Sequence, residues 1–198
     1  MPLIRTMKLA RLVRWGGLAA LLGGLAVADA NALTVTLAPA TQSVVQDQTA
    51  QLDIVVGDVL PAGLGGYSIT LAFDPSILDF ASAVSHLPGV TWGLSAKVSA
   101  PGQLELSDLS FEEPADLVNL ESASFTLATV SYKAIGVGTS AISVTKLDLA
   151  DAAGSLLAAG LPAGAAVTVS AVPEPATLLS LLGGLAVVGA AVRRRSAE

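Results

Sequence analysis

Residues 67–78 read YSITLAFDPSIL, and this stretch has the clearest alternation in the chain. Its apolar residues Tyr67, Ile69, Leu71 and Phe73 occupy every second position, with Ser, Thr or Ala between them. A period of two places these four side chains on one face of a β-strand. The next residues, Asp74-Pro75-Ser76, predict a tight turn, because Asp and Pro are favoured at its first two positions. The stretch therefore predicts a half-buried strand that ends in a turn.

The same period recurs on both sides of this stretch. Alternating runs begin at Leu33, Leu52 and Gln103, and turn residues rich in Gly, Pro and Asp separate them. No segment between residues 33 and 171 has a convincing helical stripe with capping residues, and the acidic run around Pro114 is interpreted as a loop. Eight to ten short strands in one domain predict an all-β fold, an antiparallel β-sandwich or jelly roll.

Two later strands change phase along their length. Phe125 and Leu127 are at odd positions, whereas Val130 and Tyr132 are at even ones, and a similar slip occurs at Leu147. A change of phase requires either a β-bulge or a strand that is covered on both faces. Both explanations remain open from the sequence alone.

The first 32 residues have the layout of a secretory signal peptide. Four basic residues, Arg5, Lys8, Arg11 and Arg14, precede an apolar run at residues 15–27 that is short for a membrane-spanning helix. Small residues then stand at the cleavage spacing in Ala28-Asp29-Ala30 and in Ala30-Asn31-Ala32. We expect signal peptidase to cut after Ala32, and a retained N-terminal anchor is the alternative.

The last 26 residues consist of three parts. Pro173-Glu174-Pro175 comes first, an uncharged apolar run at 176–192 follows, and Arg193-Arg194-Arg195 closes the run. Seventeen helical residues reach roughly 26 Å, close to the thickness of the hydrocarbon core of a bilayer. The arginines favour the cytoplasmic side. We therefore expect a transmembrane helix at 176–192, with the preceding chain outside.

This order of motif, apolar helix and arginine block resembles the PEP-CTERM sorting signal of Gram-negative bacteria. The resemblance implies that a membrane-embedded exosortase cuts near Pro173-Glu174-Pro175. It also implies a route from an anchored intermediate at the inner membrane to the cell surface or to an extracellular matrix, such as that of a biofilm. A plain C-terminal anchor that is never cut is the alternative.

The part of the chain between the two ends is strongly acidic and lacks cysteine. It has three lysines and 13 acidic residues, a net charge of −10, against −6 for the whole chain. Such a surface repels nucleic acid, so DNA and RNA are excluded as partners. Without cysteine, neither disulfides nor thiolate metal sites can form, and stability must come from apolar packing.

The strand and turn at residues 67–78 resemble those of a cohesin-type domain. Residues 124–132, SFTLATVSY, and the turn at Gly138-Thr139-Ser140 are similar to the late strands of that family, so the resemblance covers most of residues 33–169. It implies a cohesin-like jelly roll, a fold that cohesins share with some carbohydrate-binding modules. In cellulosomes a cohesin grips a dockerin through one sheet face, and nothing in this sequence indicates a dockerin partner.

Catalytic chemistry has little support in the sequence. His86 is the only histidine, and no serine lies in a nucleophile-elbow pattern. The densest carboxylate cluster, Glu112, Glu113 and Asp116, lies beside Pro114 and is interpreted as a solvated loop rather than a glycosidase pair. We therefore expect no catalytic residues and no enzyme activity.

Two weak binding sites are indicated instead. Trp92, flanked by Thr91 and Gly93, is a candidate ligand platform for a sugar, with core packing as the alternative. Asp148 and Asp151 are candidate calcium ligands, because calcium prefers carboxylate and carbonyl oxygens, although a simple turn also explains them. No other cofactor is expected.

Together these features predict an exported, non-enzymatic surface or matrix protein. We expect its sandwich to mediate adhesion through a protein–protein contact. The alternative is a carbohydrate-binding module for exopolysaccharide, and a glycan-active enzyme is the least supported function.

Overall fold

The computed structural model describes residues 33–172, 180–181, 183–185 and 193. Residues 33–172 form eleven strands and one short helix, which contradicts the expectation of a body without helix. The elements are β1 (Thr34–Ala38), β2 (Thr41–Val45), β3 (Thr49–Gly57), β4 (Gly66–Ala72), β5 (Leu78–Ser85), β6 (Ser95–Ala100), β7 (Gln103–Leu109), α1 (Pro114–Leu120), β8 (Ser124–Ala134), β9 (Gly138–Ala150), β10 (Leu156–Leu157) and β11 (Ala165–Ser170).

The strands form two sheets, which confirms the predicted β-sandwich. One sheet has four strands in the order β1-β3-β8-β5, and every pair in it is antiparallel. The larger sheet has the order β2-β11-β9-β4-β7-β6, and β10 pairs with β9. One pair departs from the antiparallel expectation, since β2 runs parallel to β11. The first and last strands of the larger sheet thereby meet at its edge.

Strand β4 lies in the interior of the larger sheet, between β7 and β9. Tyr67, Ile69 and Leu71 are buried, as their alternation predicts. The predicted turn after β4 is also confirmed, because the backbone N–H of Ser76 donates to Oδ1 of Asp74 at 2.8 Å. The Ser76 hydroxyl donates to the same oxygen, and this bond lowers the pKa of the Asp74 carboxyl.

Both predicted changes of phase are β-bulges. The register between β3 and β8 shifts between Ile54 and Val55, and the register between β4 and β9 shifts between Thr70 and Leu71. An additional residue on one strand reverses the face that the following side chains occupy. Phe125 and Tyr132 therefore both reach the core despite their unlike phases.

The core lies between the two sheets and is almost entirely aliphatic. Tyr132 is fully buried in it, with its ring centroid 5.1 Å from that of Phe73. Burial raises the pKa of Tyr132, and its hydroxyl has no hydrogen-bond partner among the described residues. The predicted inward orientation holds for Tyr67, Phe73 and Tyr132, and Phe125 is half-buried against the same core.

Helix α1 corrects the expectation of a loop in the acidic run. Pro114 lies in its first turn, where a missing N–H costs nothing, and Asp116 carries negative charge near the N-terminus. Leu117 is fully buried and anchors the helix. Just after the helix, the buried Glu121 accepts the backbone N–H of Leu64 at 3.0 and 2.9 Å. A helix of seven residues is too short to display a periodic apolar stripe.

Several predictions fall outside the described residues. These are the cleavage positions Ala30 and Ala32, the motif Pro173-Glu174-Pro175, and Arg194 with Arg195. The six described residues of the tail, which include Arg193, are helical. Over the described ranges, no helix has both the length and the apolar character that crossing a membrane requires.

Candidate binding groove

A groove of about 410 Å³ lies on the outer face of the larger sheet, where β4 begins. Its floor is a row of outward positions that crosses four strands, in the order Leu109, Gly66, Ala150 and Leu156. The middle of this row is shallow because Gly66 and Ala150 have little or no side chain. The side chains of Leu109 and Leu156 are exposed on either side of it, and Leu156 is 79% exposed. The row gives the groove a flat apolar floor between two raised aliphatic edges.

Trp92 lines the same groove and is 77% exposed. Its ring centroid lies 5.9 Å from that of Phe111, which is also exposed. The alternative of core packing for Trp92 is therefore wrong, and the indole is available to a ligand or partner. Exposed pairs of large aromatic side chains are typical of binding surfaces.

Backbone hydrogen bonds hold this aromatic pair in place. The N–H of Trp92 donates to the carbonyl of Leu109 at 2.8 Å, and the N–H of Phe111 donates to the carbonyl of Val90 at 2.8 Å. Glu112 adds a side-chain contact, because its Oε1 accepts the N–H of Val90 at 2.7 Å. The segment that carries Trp92 is thus paired with the end of β7 rather than being a free loop.

Asp108 lies behind the groove and fixes the same segment from within. Its side chain is only 6% exposed, and Oδ1 accepts the backbone N–H groups of Gly93 at 3.1 Å and Leu109 at 2.8 Å. Its Oδ2 is buried without a partner among the described residues. Tyr67 is paired opposite Asp108, and burial above all raises the pKa of Tyr67 to about 12, with a smaller contribution from the Asp108 charge.

Two polar rows continue the outer face beside the groove. One row consists of Ser95, Ser107, Ser68 and Asp148, and the next of Lys97, Glu105, Thr70 and Lys146. Lys146 Nζ lies 2.8 Å from Asp148 Oδ2, and this bond raises the pKa of Lys146. Two of the three lysines between residues 33 and 171 lie on this one face, which is therefore less acidic than the rest of the surface.

The candidate calcium ligands have other partners in the structure. Asp148 lines the groove and pairs with Lys146, whereas Asp151 lies in the turn after β9. Oδ1 of Asp151 accepts the N–H groups of Ala153 at 2.9 Å and Ser155 at 2.8 Å, which confirms the predicted turn. Across the part of the chain that the structure describes, no three His, Asp or Glu side chains are grouped to hold a metal ion. Calcium binding at this place stays a prediction.

The other candidate residues lie outside the groove. His86 follows β5 at the end of the four-stranded sheet, where its backbone N–H donates to the carbonyl of Leu127 at 2.8 Å. Glu113 and Asp116 are exposed at the start of α1. The structure does not bring these carboxylates together with the groove, whose lining contains neither of them.

Sequence reasoning identified Trp92 but missed Leu109, Phe111 and Leu156. Two of them could have been recognised as apolar residues at positions that face outward. Leu109 is the last residue of β7 and follows its buried positions, and Leu156 is the first residue of the two-residue strand β10. Local patterns do not predict the register that places Leu109 and Leu156 in one row across four strands.

Comparison with known proteins identifies the two parts of the chain separately. The PEP-CTERM protein-sorting motif matches residues 171–195. This motif implies that the protein is exported and that an exosortase processes it. No curated protein matches the chain.

The sandwich resembles cohesin modules of known structure. The OlpA cohesin of Clostridium thermocellum, in a complex with a dockerin, is 10% identical at a TM-score of 0.58 and covers 71% of this chain and 100% of its own. The sixth cohesin of scaffoldin B from Acetivibrio cellulolyticus is 14% identical at 0.56 and covers 70% and 99%. A non-cellulosomal cohesin from the archaeon Archaeoglobus fulgidus is 11% identical at 0.52 and covers 75% and 96%. The chain therefore joins a β-sandwich with the cohesin fold to a PEP-CTERM protein-sorting motif.

Proposed function

We propose that this protein is an exported, non-enzymatic binding module that docks a protein partner on the outer face of its larger sheet. The observation that carries the proposal is the exposed apolar surface formed by Trp92, Phe111, Leu109 and Leu156 around the groove. Exposure of apolar side chains of this size to water is unfavourable, and the free energy falls when a partner covers them.

The rigidity of this surface supports protein docking. The aromatic pair is held by backbone hydrogen bonds and by buried Asp108, so little conformational entropy is lost when a partner binds. Tryptophan is also strongly enriched among the residues that dominate interface energies. The polar rows carry two lysines and two carboxylates, and these charges provide a rim that can fix the orientation of a partner.

The similar structures add a second line of support. The OlpA cohesin and the scaffoldin B cohesin are both in complexes with dockerins, so this fold serves protein–protein recognition in those proteins. The sorting motif implies export, which supports contacts of this kind outside the cell. We propose that after processing the module acts in adhesion at the cell surface or in the extracellular matrix.

Glycan binding is the second candidate function, because Trp92 is exposed in a groove rather than buried. A pyranose ring can stack on an exposed indole, and the hydroxyls of Ser68, Ser95 and Ser107 lie along the same groove. The apolar floor and the leucine edges favour a peptide side chain over a sugar at this place.

A capture experiment separates the two functions. The full chain is immobilised in detergent, and extracellular matrix from the producing cells is passed over it after treatment with protease or with periodate. Loss of capture after protease alone supports protein docking. Loss after periodate alone, together with loss of capture in Trp92→Ala, would contradict it and would support the glycan function of the groove.

A further inference from the structure

A second pocket, also of about 410 Å³, lies on the opposite side of the sandwich from the Trp92 groove. It forms where the outer face of the four-stranded sheet meets the segments that follow β5 and α1. Asp53, His86 and Thr129 belong to its polar part, which also includes Ser122 and Thr126, and Pro88, Leu120 and Phe125 form its apolar part. Its volume is within the range of small-molecule sites.

Hydrogen bonds join three of these polar side chains, Asp53, Thr129 and His86. The Thr129 hydroxyl donates to Oδ1 of Asp53 at 2.6 Å. Because that hydroxyl has a single proton, the 3.1 Å contact between Thr129 Oγ1 and His86 Nε2 requires the imidazole to donate. In the neutral ring, Nδ1 is then the acceptor. The network is held on paired strands, since Asp53 and Thr129 are register partners on β3 and β8.

This arrangement selects a ligand that is rich in hydrogen-bond donors. The Asp53 carboxylate and the His86 imidazole both line the pocket, and each has an acceptor atom that the network does not use. No Lys or Arg is among the described residues that line it. With a net charge of −10 on the surrounding domain, an anion is repelled. The apolar part favours a molecule that also has a nonpolar face.

A neutral hexose ring combines these two properties, because hydroxyl donors surround its edge and C–H groups cover its faces. We propose that this pocket binds a neutral hexopyranose unit, with the ring against Phe125 and Leu120 and its hydroxyls donating to Asp53 and His86. The proposal does not depend on protein docking at the groove. With both sites present, one module links a protein partner to a polysaccharide through its two outer faces.

His86 provides a direct reporter, because it is the only histidine in the chain. The full chain, in a detergent without a sugar headgroup, is titrated with the methyl glycosides of glucose, galactose, mannose and N-acetylglucosamine. The imidazole carbon–proton signal of His86 is followed by NMR. We expect a saturable shift with at least one glycoside.

Two substitutions test the pocket, and one controls for the groove. Thr129→Val preserves side-chain shape and strand propensity but removes the bridging hydroxyl, and Asp53→Asn removes the carboxylate. Each should weaken binding by about tenfold or more, because a hydrogen bond to a charged or pre-oriented group is lost. Trp92→Ala should leave the affinity unchanged.

Four results would overturn the proposal. The first is the absence of a saturable shift with any of the four glycosides. The second is a shift with n-butylamine alone, which would make this a cation site. The third is wild-type affinity in both Thr129→Val and Asp53→Asn. Loss of glycoside binding in Trp92→Ala would also contradict it, because the sugar would then lie in the groove.

Discussion

Oδ1 of Asp108 lies 3.1 Å from the backbone nitrogen of Gly93, and this contact joins a buried side chain to the exposed segment that carries Trp92. The carboxylate is buried on the inner side of β7, whereas the indole lies on the outer side. The binding surface therefore depends on a residue that is itself only 6% exposed.

Two substitutions of Asp108 distinguish the effect of its hydrogen bonds on stability from the effect of its charge. Asp108→Asn retains an oxygen acceptor for the N–H groups of Gly93 and Leu109 and removes a buried charge, so we expect stability and capture to be maintained. Asp108→Ala leaves both donors without their acceptor and should cost about 1–3 kcal/mol of unfolding free energy. Denaturant unfolding and capture by each variant provide the measurement. Equal unfolding free energies and equal capture in the two variants would refute the role of Asp108 in holding the segment.

The two buried tyrosines should respond differently to removal of the hydroxyl. Tyr132→Phe deletes a buried group that has no partner among the described residues, so we expect unchanged stability or a gain of about 1 kcal/mol. Tyr67→Phe removes the bond to Ser85 Oγ at 3.0 Å and should lose about 1 kcal/mol. Paired urea unfolding curves test this. A larger loss in Tyr132→Phe than in Tyr67→Phe would contradict the hydrogen-bond assignment.

Glu121 should make stability depend on pH. Burial raises the pKa of its carboxyl above the ordinary value, so the folded state holds its proton more tightly than the unfolded state does. This contribution favours the folded state at pH values below the ordinary carboxyl range and is lost as pH rises through the raised pKa. Glu121→Gln, whose side-chain oxygen still accepts from Leu64, should therefore gain stability relative to wild type at neutral pH and lose that advantage in acid.

The control for this measurement is Glu113→Gln, which removes one negative charge from an exposed position nearby. The pH dependence is measured as the difference in melting temperature between variant and wild type. A difference for Glu121→Gln that stays constant from neutral to acidic pH would show that burial of the charge does not matter.

Processing of the tail has a simple readout. If an exosortase removes the segment after the motif, the intact mass of the protein recovered from the cell surface should lack Arg193-Arg194-Arg195. Replacement of Pro173, Glu174 and Pro175 by alanine should leave the tail on the protein and keep it in the membrane fraction. A wild-type protein that reaches the surface with its arginines attached would contradict removal of the tail.

The sequence predicted the parts of the fold that depend on alternation and turn chemistry. Strand β4 and its turn at Asp74 follow from residue types within a short window. The bulges were signalled by the changes of phase near Phe125 and Leu147. Helix α1 was not predicted, because its stability comes from burial of one residue, Leu117, against distant parts of the chain.

The candidate site depends on information that local patterns do not contain. Leu109 and Leu156 become neighbours of the same groove only through the pairing of β7, β4, β9 and β10. The link between Asp53, Thr129 and His86 likewise joins residues 33 to 76 positions apart in sequence. Such contacts are fixed by long-range register, which the alternation of a single strand leaves open.

The central claim, that the Trp92 groove docks a partner, is tested most directly by comparing two variants in the capture experiment. Trp92→Ala removes the main exposed anchor, and Leu161→Ala removes an apolar side chain that is 61% exposed and outside the groove lining. We predict that Trp92→Ala weakens capture of the protease-sensitive partner by about tenfold or more, while Leu161→Ala binds as wild type does. Equal capture by Trp92→Ala and wild type would contradict the account.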